Sequence, residues 1–145
     1  MDSPWKVLIV SADAECRRRM AESLTLWKME PVLAADYTQG KDVLEKEPIA
    51  LAFCDSRLPD DGFREMLSLT STQKRPVPLV ALVCDEKGYQ DATVLGAFDA
   101  IPLPCEHSDV RWIVIRVMHD QQNRRRDSAT RVVPGTVRSA SGRLD

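Results

Sequence analysis

Residues 51–62 read LAFCDSRLPDDG, an apolar run that ends at Asp55 and is followed by a turn with a proline, two more acids and a glycine. The run is typical of a buried strand, and the Pro and Gly are typical of the turn after it. A carboxylate at the end of a buried strand loses hydration and needs charged or hydrogen-bonding partners. Asp55 is therefore a candidate functional residue.

Further strands and helices can be assigned on both sides of this stretch. Apolar runs predict strands at KVLIV (6–10) and PLVALV (78–83), DAIPL (99–103) and, as a weaker candidate, PVLAA (31–35). Amphipathic patterns predict helices over 13–28 and 63–72, one opening at the capping box DYTQ (36–39), one over 86–95, and a last one that Ser108 can cap. The order is βαβαβαβαβα.

This alternation predicts an α/β fold with a doubly wound parallel sheet, in which ligands bind at the carboxyl ends of the strands. Asp55 ends the third strand and so lies at that edge. The segment after the first strand, LIVSADAEC, contains no glycine. This argues against a dinucleotide site or a P-loop.

Composition excludes several other classes of protein. The 145 residues are 43% hydrophobic and 29% charged, which is ordinary for a globular domain. The four cysteines form no C-x-x-C pair, so the usual zinc and dithiol patterns are absent and we expect no metal site of that kind. No apolar run approaches the ~18 residues of a membrane span. We expect a cytoplasmic protein without a membrane partner.

Charge is distributed unevenly along the chain. Residues 119–145 contain six Arg and three Asp, a formal +3, while residues 1–118 carry a formal −5. Together with a change to Ser, Gly and Arg, this predicts one domain over 1–123 and a flexible basic tail or linker over 124–145. The basic triplet at 124–126 is typical of a solvated helix end, and we expect no nucleic-acid partner.

The quoted stretch, with VLIV (7–10), PLVALV (78–83) and LGAFDAIPLPC (95–105), resembles the response-regulator receiver domain of two-component signalling, over roughly residues 5–123. The resemblance implies a flavodoxin-like (βα)5 fold with strand order 2-1-3-4-5. It places Asp55 at the phosphoacceptor position and implies a histidine kinase as the upstream partner. It also implies a module for phosphorelay signal transduction rather than an enzyme.

The magnesium-binding positions depart from the family pattern. Ser11 and Ala12 stand where the family has an acidic pair, and Asp13 matches only a third position, where an acid more often caps the first helix. Mg²⁺ binds through carboxylates, carbonyls and water. We therefore expect Mg²⁺ binding to be weak or absent, and we expect no other cofactor.

Three more positions of the site depart from the pattern. Val83 replaces a Thr or Ser, Ala100 replaces the switch aromatic, and Leu103 replaces a Lys, while Pro104 is kept. In the family the peptide bond to this proline is cis, and we expect the same of Leu103-Pro104. The apolar replacements would raise the pKa of Asp55 unless backbone donors compensate.

These departures predict an atypical receiver, or pseudo-receiver, that acts mainly as a protein-protein interaction module with impaired or absent phosphorylation of Asp55. Two alternatives stay open. One is a functional phospho-accepting receiver that uses Asp55. The other is a redox or small-ligand sensor on the same fold, to which Cys84 and Cys105 would contribute, since both follow predicted strands at the same edge.

The last helix predicts an interface. Beyond its inward-facing stripe it carries Trp112 and Ile115 on another side. A second apolar stripe on a helix that already has a buried face indicates a partner surface. We expect a weak homodimer through this helix. We also expect a signalling protein as a second kind of partner.

Overall fold

The computed structural model describes the backbone of residues 5–132 and the side chains of residues 5–124. Residues 1–4 and 133–145 lie outside the described part. Strands and helices alternate along the chain as β1 (Lys6–Val10), α1 (Ala14–Leu26), β2 (Glu30–Ala34), α2 (Tyr37–Lys46), β3 (Ile49–Asp55), α3 (Gly62–Ser71), β4 (Leu79–Val83), α4 (Glu86–Leu95), β5 (Asp99–Pro102) and α5 (His107–Val132).

The five strands form one parallel sheet in the order β2-β1-β3-β4-β5. This confirms the predicted α/β, flavodoxin-like fold, including the weaker strand candidate, which is the edge strand β2. Because all strands are parallel, their carboxyl ends meet at one edge of the sheet. Val10, Asp55, Val83 and Pro102 therefore end their strands on the same side of the molecule.

The three central strands form the core. Val7–Val10 of β1 and Leu51–Cys54 of β3 are fully buried, and β4 is at most 3% exposed at any residue. These strands are continuously apolar, rather than alternating, because a parallel sheet is covered on both faces. Few polar side chains are therefore buried in the described part of the chain, and Asp55 and Ser11 are two of them.

Aspartates begin three of the helices. Asp13 accepts hydrogen bonds from the amides of α1, and Asp85 accepts one from the amide of Gly88 at 2.8 Å. Asp36 accepts from the amide of Gln39 at 2.9 Å, and the Gln39 side chain accepts from the amide of Ala35. The predicted cap by Asp36 is confirmed, but the return bond of the capping box goes to the amide of Ala35 and not to that of Asp36. Such caps satisfy amides that have no partner within the helix.

The last helix begins differently from the prediction. Ser108 does not cap it, because α5 already begins at His107. Instead the Asp109 carboxylate accepts from the amide of Glu106 at 2.8 Å. The predicted inward residues Val110 and Ile113 are buried. No helix in the described part of the chain is both long and apolar enough to span a membrane.

Packing divides the chain into two compact units, residues 1–113 and 114–145. The first unit contains the whole sheet. The second begins inside α5, whose helical backbone passes position 124 and continues to Val132. The change of composition at 124 therefore does not coincide with the end of the helix. The domain boundary at 123/124 and the flexible tail stay predictions, and residues 133–145 of that tail lie outside the described residues.

Candidate functional site

Asp55 lies at the carboxyl end of β3 and is only 2% exposed. Its Oδ2 accepts a hydrogen bond from Ser11 Oγ at 2.8 Å, and its Oδ1 accepts one from the backbone amide of Arg57 at 2.9 Å. Ser11 follows β1, the neighbour of β3 in the sheet, and is itself fully buried. The polar cluster is therefore built from two adjacent strand ends.

Arg57 provides the principal charged partner of Asp55. Its Nε donates to Oδ1 at 2.9 Å and its Nη2 donates to Oδ2 at 2.7 Å, which is a bidentate ion pair. The turn after β3 brings the side chain of Arg57 back over the carboxylate two residues earlier. Arg57 is not among the site residues predicted from the sequence, although it stands inside the stretch LAFCDSRLPDDG. An arginine two positions after an isolated buried carboxylate was the available signal.

The electrostatics of Asp55 follow from these contacts. Burial by itself raises the pKa of Asp55, but hydrogen bonds from the Arg57 side chain, the Arg57 amide and the Ser11 hydroxyl outweigh it, so the pKa lies below its usual value. The hydrogen bond to Asp55 in turn raises the pKa of Arg57. Both groups are therefore charged at neutral pH. The compensation comes chiefly from a side chain, where the sequence indicated backbone donors.

Three of the predicted site positions directly follow β1, and one of them contacts Asp55. Ser11 touches Asp55, whereas Ala12 is exposed and has no polar side-chain atom. Asp13 caps α1 as predicted, accepting from Glu15 N at 2.9 Å, and its Oδ2 lies 4.0 Å from Arg57 Nη2. Asp13 is thus a second, peripheral acid next to the same guanidinium.

The positions on β4 and β5 surround the site with apolar groups. Val83 and Ala100 are buried, and Leu103 is half-buried. The amide of Leu103 donates to the carbonyl of Val83 at 2.7 Å, which joins the ends of the two strands. The Leu103-Pro104 bond is cis, as the sequence predicts.

Solved receiver domains share this sheet. A CheY-like response regulator receiver domain protein from Methanospirillum hungatei JF-1 matches with a TM-score of 0.74 and 21% identity, covering 84% of this chain and 99% of that one. The receiver domain of a sensor histidine kinase from Pseudomonas aeruginosa PAO1, which holds a magnesium ion in its active-site cleft, matches with a TM-score of 0.72 and 20% identity over 80% of this chain and 98% of that one. The chain has the receiver-domain fold.

One curated relative supports the same assignment. The response regulator protein PilR of Pseudomonas aeruginosa is 27% identical over 116 residues, which is 77% of this chain. The match spans 26% of PilR, so this chain corresponds to about a quarter of that protein. No protein-family profile matches the chain.

A cavity of about 490 Å³ opens beside the strand ends of this receiver fold. Asp13 and Arg57 line it on the side of Asp55, and Leu103 and Pro104 line it on the side of β5. Cys84 and Cys105 also line it, so the two thiols that the sequence placed at this edge do share one cavity. Cys16, a buried residue of α1, also lines the cavity.

The predicted interface residues on α5 are exposed. Trp112 is 68% exposed and Ile115 is 43% exposed. Arg111, next to Trp112, instead places its guanidinium 5.2 Å from the ring centre of Trp27 on α1. Trp112 is therefore largely open to solvent within the described part of the chain, and Ile115 is partly open.

Proposed function

We propose that this chain is a pseudo-receiver: a protein-protein interaction module of a two-component system in which Asp55 is not an efficient phosphoacceptor. One observation carries the proposal: Arg57 occupies both carboxylate oxygens of Asp55, at 2.9 and 2.7 Å. The module is not an enzyme in this proposal, and its cytoplasmic location stays a prediction.

Two features of the site oppose phosphoryl transfer to Asp55. A carboxylate oxygen must be free to attack phosphorus, but Oδ1 accepts two hydrogen bonds from Arg57 and Oδ2 accepts one each from Arg57 and Ser11. In addition, the charge that accumulates in the transition state needs preorganised cations and donors. Val83 and Leu103 supply neither a hydroxyl nor an ammonium group.

The residues around Asp55 do not fit a magnesium ion. Mg²⁺ requires near-octahedral oxygen coordination at about 2.0–2.1 Å, usually with one or two carboxylates and several waters. Here Ser11 offers a hydroxyl, Ala12 offers no ligand, and the Arg57 guanidinium stands against the oxygens of Asp55. Among the described residues no group of three or more His, Cys, Asp or Glu is arranged to hold a metal. We propose that Mg²⁺ binding is weak or absent.

A phospho-accepting receiver is the second candidate, because Asp55 is ionised and has a cation beside it. The guanidinium could offset charge where other receivers use a metal. This candidate requires Arg57 to release at least one carboxylate oxygen as the donor approaches. The two candidates therefore differ in whether Asp55 can be labelled at all.

Incubation of the wild type with acetyl phosphate and Mg²⁺ should add no phosphoryl mass, because Asp55 is occupied and the transition state lacks its donors. Intact-mass spectrometry at intervals measures this. Asp55→Asn serves as the control for labelling elsewhere. Substantial labelling of the wild type that disappears in Asp55→Asn would establish the second candidate instead.

For partners, receiver domains interact with signalling proteins such as kinases and phosphotransfer proteins. We propose that this chain likewise binds a signalling protein, and a histidine kinase is the candidate that the resemblance implies. We also propose a weak homodimer through α5. The exposure of Trp112 supports it, since tryptophan is strongly enriched at the energetic centre of protein interfaces.

Sedimentation of the wild type at increasing concentration should show reversible dimers, and Trp112→Ala should weaken dimerisation by about 2 kcal/mol, or about 30-fold. Ile115→Ala should weaken it less, because it removes less apolar surface. Leu33→Ala is a matched control, since Leu33 is a 46% exposed apolar residue on β2, at the edge of the sheet opposite β5. A wild type that stays monomeric at the highest concentration refutes the dimer.

A further inference from the structure

Three of the four cysteines meet at one cavity, although they are far apart in the sequence. Cys16, Cys84 and Cys105 all line the cavity of about 490 Å³, whereas Cys54 is fully buried in the core. All four are free thiols. The function proposed above gives no role to this cluster of Cys16, Cys84 and Cys105.

Within the cluster, Cys105 packs towards α1. Its Sγ lies 3.8 Å from Met20 Sδ. Cys16 stands one turn before Met20 on the same buried side of α1, and residues four apart on a helix have Cβ atoms about 5–6 Å from each other. Cys16 and Cys105 both line the same cavity. Side chains of a helix lean towards its N-terminus, so Cys16 and Met20 lie along the same side of α1, which forms one wall of the cavity.

Polar contacts hold this wall and the start of α5 together. The indole Nε1 of Trp27 donates to the carbonyl of His107 at 3.1 Å, and the Ser23 hydroxyl contacts His107 Nδ1. Ser23 lies on α1 one turn beyond Met20, and His107 lies two residues after Cys105. The two cysteines therefore lie on segments that these contacts hold together.

Cys84 lines the cavity from the end of β4. It is exposed, and it interacts electrostatically with the Arg57 guanidinium. It follows Val83 at the end of β4, whereas Cys105 contacts α1. Cys84 is thus a third thiol of the same cavity, and it serves as the control for Cys16 and Cys105.

We propose that Cys16 and Cys105 form an oxidative modification site, at which a hydroperoxide converts the two thiols into an intramolecular disulfide. The half-buried Cys105 is the more accessible of the two and reacts first. Its thiolate attacks one peroxide oxygen, the O–O bond breaks, and the leaving oxide takes up a proton. Cys105 is then a sulfenic acid. Cys16 sulfur attacks the Cys105 sulfur, the S–O bond breaks, and hydroxide leaves with the Cys16 proton as water.

For hydrogen peroxide the balance is two thiols and one peroxide to one disulfide and two waters. The peroxide gains the two electrons that the sulfurs lose. Burial, with smaller contributions from Asp109 and Cys16 and an opposing one from Arg19, raises the pKa of Cys105 to about 11. Burial likewise raises the pKa of Cys16. Because the thiolate is the nucleophile, the reaction accelerates towards alkaline pH.

The test treats the full chain with hydrogen peroxide at mildly alkaline pH, followed by alkylation and non-reducing peptide mapping. We expect loss of two of the four alkylatable thiols, a mass lower by two hydrogens, and one cross-linked peptide joining Cys16 to Cys105. Cys84→Ser should give the same cross-link. Cys16→Ser and Cys105→Ser should each abolish it.

The wild-type peptide map decides the matter even where a variant fails to fold. A cross-link that contains Cys84 overturns the proposal. So does a wild type whose four thiols all remain alkylatable after peroxide, or one that forms only disulfides between chains.

Discussion

Acetyl phosphate and Mg²⁺ should label Asp55 at least about 100-fold faster in a reconstructed variant than in the wild type. The variant restores the acids, the hydroxyl and the lysine of the family pattern and removes the guanidinium from the carboxylate; its substitutions are Ser11→Asp, Ala12→Asp, Arg57→Ala, Val83→Thr and Leu103→Lys. Removal of one preorganised donor typically costs about 3 kcal/mol of transition-state stabilisation, which is about 100-fold in rate. Time-resolved intact mass measures the labelling.

Two further measurements make this result specific. Mg²⁺ should raise the melting temperature of the variant but not of the wild type, because the clustered carboxylates repel each other until a cation binds. Adding Asp55→Asn to the variant should abolish labelling. A folded variant that binds Mg²⁺ and still accepts no phosphoryl group would mean that the substituted positions are not what prevents phosphorylation.

Arg57→Ala should lower the free energy of unfolding by about 2 kcal/mol at neutral pH, because it leaves the buried Asp55 carboxylate without its cation. The figure lies below that of a fully buried pair, since the Arg57 side chain is 49% exposed and solvent screens part of the interaction. Urea denaturation measures the loss. Arg18→Ala is the matched control: Arg18 pairs with Glu15 and Glu22 on the surface of α1, and we expect its loss to cost much less than the loss of Arg57 because solvent screens an exposed pair.

The effect of Arg57→Ala should depend on pH. In the wild type the pKa of Asp55 is lowered by folding, so its contribution to stability is present above the usual carboxyl pKa and is lost as pH falls through the folded value. In the variant burial prevails and raises the pKa, so protonation stabilises the fold. The difference between the two proteins should therefore begin to shrink as pH falls through the raised pKa of the variant, above about 4, and should continue to shrink down to the lowered pKa of the folded wild type. Equal losses for Arg57→Ala and Arg18→Ala at neutral pH would contradict the ion pair's role.

The path of the chain was predictable because it depends on patterns that are local in the sequence. Continuous apolar runs such as 78–83 occur where both faces of a strand are covered, and they alternate with amphipathic segments that begin at Asp13, Asp36 and Asp85. Each aspartate satisfies amides within the next turn, so no distant residue is involved. The strand order followed from the family resemblance that these elements carried.

The start of α5 shows where local reasoning fails. Ser108 is a good capping residue by type, but the Asp109 carboxylate reaches the amide of Glu106, and the helix begins earlier. The capping propensity of a single residue does not show at which residue the helix begins. The contacts of Trp27 and Ser23 with His107 also hold the start of α5, and they come from a helix about 80 residues earlier in the chain.

From the sequence alone it follows that this is a five-stranded parallel α/β domain with a carboxylate at the edge where such domains bind ligands, and that the usual magnesium, hydroxyl and lysine positions are altered. Only the tertiary structure reveals what replaces them. Hydrogen bonds and ion pairs act over about 3 Å, and the turn after β3 folds Arg57 back onto Asp55 while β1 brings in Ser11 from 44 residues away. The meeting of Cys16 with Cys105 has the same origin, because helix packing, which no local pattern encodes, carries them to one cavity.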